Sequence, residues 1–192
     1  MWLWIVGGCL VSFAVAYQLV ALDNRKRNRA ADRDPDVTTT DRIVNDQNGR
    51  TGERFRYGLY HARWNGCEAI ALHNAKVLLG IRSELSGAMT ELQRAGAMFG
   101  LGFFGSDPFG LGRVLKRAGI RAKRVGLRQL DVPGVYILCY WNKGAPWKGA
   151  HTVAVRYDGA GYTGLNPYGS MVPWELGRRY ICGYRLEKPQ EE

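Results

Sequence analysis

The first polar–apolar feature of the chain is a run from Trp2 to Leu22 that is mostly apolar and carries no charge. As a helix rising ~1.5 Å per residue, that run is long enough to cross a hydrocarbon core of ~30 Å. Trp2, Trp4 and Tyr17 suit the two membrane interfaces. No basic residue precedes the run, and the cluster Arg25-Lys26-Arg27-Asn28-Arg29 follows it. That order reads as an anchor with a stop-transfer flank rather than a cleaved signal peptide, despite Ala14-Val15-Ala16. From Asn24 to about Gly52 the sequence is polar, mixed in charge and poor in large apolar residues, which predicts a flexible tether. The folded part is expected to begin near Glu53. Cys67 to Leu79 is apolar and free of proline, which predicts a largely buried helix. Ser83-Glu84-Leu85 followed by Ala88, Met89, Leu92 and Ala95 predicts a second. Asp107-Pro108 reads as the capped start of a third that stops at Gly119. Beyond it the period changes. Residues 135–141, 151–157, 161–166 and 180–186 are rich in β-branched and aromatic residues and joined by short turns, which predicts antiparallel strands. The division is therefore an anchor at 1–23, a linker at 24–52 and an α+β domain at 53–192.

Composition narrows the function classes. The 192 residues carry a formal net charge of +10, which fits an anionic membrane surface, an acidic substrate or nucleic acid. No nucleic-acid motif accompanies the charge, so that partner is not expected. Cys9, Cys67, Cys139 and Cys182 are spread out and share no paired spacing, which argues against a zinc site or a disulfide framework. No metal or cofactor is expected. Cys9 lies in the apolar N-terminus, and Cys139 and Cys182 in strand-like sequence, where buried, inert thiols are the ordinary state. The glycine-rich stretch 100–105 lacks the Gly-Lys-Ser/Thr ending of a phosphate loop. Trp64, Trp141, Trp147 and Trp174 read as core or rim residues.

Cys67 stands apart. Asn65-Gly66 is a turn signal directly before the buried helix, so Cys67 falls at a helix N-terminus, where free N–H groups favour a thiolate and can hold an oxyanion. His151 opens a strand-like run, and Asp158-Gly159 is a hairpin signal. A two-residue turn there sets His151 opposite Asn166, so that the amide orients the imidazole toward a thiol. The glycines at 159 and 161 also permit a longer loop, which offsets that pair.

Asn65-Gly66-Cys67-Glu68-Ala69-Ile70-Ala71, His151-Thr-Val-Ala-Val and Asn166-Pro-Tyr-Gly169, in that order, resemble the papain-like cysteine peptidases, nearest the bacteriocin-processing, double-glycine leader peptidases. The resemblance covers about residues 55–187. It implies a papain-like α+β fold: N-terminal helices, the first led by the nucleophile, packed on a C-terminal antiparallel sheet. It implies a thiol hydrolase of peptide bonds with Cys67 as nucleophile, His151 as base and Asn166 in the place of the family's aspartate. The family's glutamine six residues before the cysteine is His61 here, so His61 and Asn65 become the oxyanion candidates. Glu68 stands where glycine is usual and is expected to face solvent. An acyltransferase or transglutaminase uses the same three residues, and an inactive peptide-binding module at the membrane is a further alternative. The substrate is expected to be a peptide or protein. The basic flank predicts a cytoplasmic domain on a single span.

Overall fold

Proline is absent from residues 1–34, and the uncharged run is rich in residues that tolerate a helix. The computed structural model describes residues 2–142, 149–167 and 176–188 and makes of this run one helix, α1 (Trp2–Asp32). It is long and apolar enough to cross a membrane. The side chains from Trp4 to Val15 are exposed or half-exposed along it.

The helix does not end where charge begins, and the stretch predicted as a tether is docked instead. Its anchors are polar, which is why a count of large apolar residues misses them. Asn28 binds both main-chain groups of Arg56, donating to its carbonyl at 2.8 Å and accepting its N–H at 2.7 Å. Asn24 donates to the Gly58 carbonyl at 3.0 Å. Beyond Asp32 the chain forms a strap across the domain. Asn74 brackets both main-chain groups of Val44, and His73 reaches the Arg42 carbonyl at 2.7 Å. Val37 and Val44 join the core beneath. The folded unit therefore includes residues 24–52.

Short elements follow: α2 (Arg50–Arg54), β1 (Arg56–Tyr57), β2 (Tyr60–His61) and α3 (Ala62–Asn65). Then come α4 (Cys67–Leu78), α5 (Leu85–Arg94) and α6 (Leu111–Arg117). The predicted helices 67–79 and 83–95 appear with nearly the same bounds. The third starts later, because Asp107 accepts the N–H of Phe109 at 3.0 Å and closes a turn before Gly110. Nearly all of α4 is buried, polar positions included. His73 and Asn74 are held by the strap and Lys76 by Glu91 of α5, which is how a helix apolar on most sides carries them inside.

Five antiparallel strands complete the α+β architecture: β3 (Arg121–Val125), β4 (Gly134–Trp141), β5 (Ala150–Tyr157), β6 (Tyr162–Leu165) and β7 (Tyr180–Glu187), in the order β3-β7-β4-β5-β6. The first was not foreseen. Arg-Ala-Lys-Arg-Val is mostly charged, and charged side chains suit an edge strand, where they discourage further pairing. Alternation divides the sheet's residues between two cores. Val135, Ile137 and Ala154 face the helices. Tyr136, Leu138, Tyr140, Val153 and Val155 face a second core closed by Leu130 and Leu176.

Candidate active site

The hairpin after β5 decides the register. Tyr157 pairs with Tyr162, so the loop is four residues rather than two. Asp158 accepts the N–H groups of Ala160 and Gly161 at 2.9 and 2.8 Å, and Gly159 takes a positive φ of 97°. The pairing is thus shifted by two residues, and His151 is not opposite Asn166. The two still meet, by another route. Asn166 adopts φ 62°, a left-handed conformation that asparagine tolerates. Its main-chain carbonyl accepts from His151 Nε2 at 2.7 Å. A carbonyl only accepts, so Nε2 carries the proton.

The Asn166 carboxamide is occupied elsewhere. Its Oδ1 accepts the Gln47 N–H at 2.9 Å and its Nδ2 donates to Gln47 Oε1 at 3.0 Å. The Asn166 N–H binds Asn45 Oδ1 at 2.6 Å. Gln47 Nε2 continues to the carbonyls of Ala62 and Arg63, at 3.0 and 3.1 Å. This clamp ties the turn after β6 to α3, the element immediately before Cys67. Neither Asn45 nor Gln47 carries any signal in the sequence, because both lie in a polar stretch with no periodicity.

Cys67 opens α4 at the floor of a cavity of about 320 Å³. Exposed Trp64, Phe103 and Phe104 line its mouth, and Cys139 and Thr152 line it deeper. The sulfur is half-buried, and burial pushes its pKa up. Opposing that are the main-chain N–H and hydroxyl of Thr152 and the N–H groups of Glu68 and Cys67 itself. A helix terminus on one side and β5 on the other thus converge on sulfur. Thr152, not singled out in the sequence, is the residue of β5 that touches it.

His151 is the neighbour of Thr152, and strand alternation sends its ring the other way. It pairs with Tyr140 across β4, and their rings meet edge-on at 5.7 Å. His151 is buried and does not line the cavity. Burial lowers its pKa, with the Asn166 carbonyl opposing. The structure therefore brings Cys67 against the strand that carries His151, while the imidazole lies on the opposite face of the sheet.

The two oxyanion candidates are engaged otherwise. His61 Nδ1 contacts the Glu53 carbonyl at 2.5 Å, and His61 is not in the cavity wall. Asn65 lines the cavity, but its Nδ2 donates to the carbonyls of Tyr57 and Gly102, at 2.8 and 2.5 Å. Its buried Oδ1 has no partner among the described residues.

Glu68 departs furthest from expectation. It is 2% exposed and lines the cavity beside Cys67 rather than facing solvent. One carboxyl oxygen has no partner among the described residues. Burial raises its pKa well above the usual range, with the Cys67 charge adding to that and the Ser106 hydroxyl opposing. Burial there works against the charged carboxylate. Cys139 and Cys182 are buried, as expected, and face each other across β4 and β7 as free thiols. Among the described residues no group of histidine, cysteine and carboxylate side chains is arranged for a metal ion. Trp147 and Trp174 lie outside the described residues.

No family model matches the chain, and no curated protein matches it either.

Proposed function

We propose that the chain is a membrane-anchored thiol hydrolase of peptide bonds, papain-like in design, with Cys67 as nucleophile and His151 as base. One observation carries the reading: a cysteine sulfur at the start of a buried helix, on the floor of an open cavity, with main-chain N–H groups reaching it from the helix and from β5. The thiolate attacks the substrate carbonyl, and the N–H groups at the start of α4 hold the oxyanion. His151 takes the thiol proton at Nδ1 and passes it to the leaving amine, after which water releases the acyl group. The Asn166 carbonyl, rather than its carboxamide, fixes the tautomer. In this reading the His151 ring, held by the Asn166 carbonyl and Tyr140 at rest, leaves both and turns round the start of β5 toward sulfur when substrate enters. Release to an amine in place of water would make the same site an acyltransferase. The basic cluster after the apolar run sets the domain in the cytoplasm.

The second reading is a binding module that holds a peptide without cleaving it. Two observations favour it: the placement of the imidazole and the buried Glu68 carboxyl beside the thiol. A thiol-directed electrophile separates the two. In the hydrolase, Cys67 is labelled faster than the other cysteines near neutral pH, and His151→Ala slows labelling by about 10²-fold or more. Unchanged labelling in His151→Ala selects the module.

A further inference from the structure

An exposed aromatic surface lies beside α1. Leu59, Tyr60, Phe99, Phe103 and Phe104 are between 38% and 67% exposed. Their rings form one patch: Tyr60 to Phe103 at 5.9 Å, Phe103 to Phe104 at 4.8 Å and Phe104 to Phe99 at 5.5 Å. Residues 97–106 contain no charged side chain. A contiguous apolar patch of this kind marks an interaction surface.

The position of the patch along α1 identifies the partner. The Tyr17 hydroxyl donates to the Gln93 carbonyl at 2.8 Å, and Gln93 in turn reaches the Met98 sulfur. Asn24 donates to the carbonyl of Gly58, next to Leu59. Leu59 is joined to the aromatic loop through the Leu101 carbonyl at 3.0 Å. The segments bearing the patch are thus fastened to α1 between Tyr17 and Asn24. The first charge on α1 is Asp23. Tyr17 lies six residues before it, about 9 Å inside the apolar run at ~1.5 Å per residue. Surface elements that enter a bilayer sit ~5–10 Å deep, at the boundary of headgroups and acyl chains, where aromatic rings are favoured. Arg25, Lys26, Arg27 and Arg29 follow in the next turns, level with anionic headgroups.

We infer that the Leu59–Tyr60 and Phe99–Phe104 surface is seated in the headgroup boundary of the bilayer that α1 spans, so that the domain lies on the membrane rather than hanging from it. Phe103 and Phe104 also line the cavity above Cys67. Its mouth then opens along the bilayer, and the polypeptide it receives is one presented at the membrane surface. That consequence rests on the hydrolase reading; the lipid contact does not.

The experiment places a photo-crosslinking phenylalanine analogue at position 104 of the full chain, in vesicles of phosphatidylcholine and phosphatidylglycerol. The control carries the same analogue at exposed Arg128, beside the second core on the far side of the sheet. Mass spectrometry is expected to find several-fold more lipid adduct at 104 than at 128. Equal yields, or adducts at 104 to a second copy of the chain, overturn the inference. The Cys67→Ala chain gives the same adduct yields whether or not the site is catalytic, so failure of one reading is distinguishable from failure of the other.

Discussion

Glu68 has the strongest chemical consequence of any single residue. Its carboxyl shares the cavity with the thiol, and each charge opposes the other. A carboxyl whose folded pKa is raised stabilises the fold fully below its unfolded value of about 4.3. That contribution is lost as the pH rises through the folded value. Glu68→Gln removes the burden at high pH and keeps the shape. It is expected to raise the unfolding temperature in detergent at pH 8 and to change it little at pH 4. An unfolding temperature that shifts equally at both pH values would show that folding does not raise the Glu68 pKa. The sequence placed Cys67 correctly at a helix start, because a turn signal before an apolar run is local information. It placed Glu68 on the solvent side, since the first helical turn normally favours an exposed acid. Burial of that turn by Tyr57, Ser106 and the 99–105 loop is a tertiary event with no local trace.

Among the elements, the strap of residues 33–49 couples both halves of the site from outside the sheet. Through Gln47 it joins the turn that holds His151 to α3, which leads into Cys67. Gln47→Ala leaves buried carbonyls at Ala62 and Arg63 and the Asn166 amide without this partner, at an expected cost of about 2 kcal/mol in urea unfolding. It also removes one of the three hydrogen bonds that hold Asn166, leaving those of the residue 47 main chain and Asn45, so the dependence of Cys67 labelling on His151 is expected to weaken. Retained stability together with wild-type labelling would leave the clamp without a function. The strands of the sheet were legible because their period-2 runs are strong, whereas the hairpin register was not. Asp158-Gly159 fits a two-residue turn by composition, and Gly161 also allows the four-residue loop that the Asp158 carboxylate closes.

For the molecule as a whole, the difference between tether and strap is a difference in mechanics. A flexible linker from 24 to 52 would let the domain move freely relative to the apolar helix. A helix extending to Asp32, joined by side-chain hydrogen bonds to β1 and α5, fixes the domain's orientation relative to the apolar run. Asp32 accepts the Ser86 N–H at 3.1 Å, and Thr39 Oγ1 accepts the Leu85 N–H at 2.8 Å, so strap and anchor together cap α5. Limited trypsin digestion of the full chain in vesicles is expected to spare Arg33 and Arg42, although both are exposed. Rapid cutting at either site would restore the tether.

The sequence by itself determined what depends on near neighbours: an N-terminal helix fit to cross a membrane, a buried helix led by cysteine and an antiparallel sheet of aromatic and β-branched strands. Hydrophobic period, turn residues and length carry that information within a dozen positions. Tertiary structure alone decided which face His151 takes, which atom of Asn166 it meets, where Glu68 points and whether the polar stretch folds. Those outcomes turn on hydrogen bonds between residues up to 121 positions apart. The polar side chains that make them look the same in sequence whether they meet water or the buried main chain.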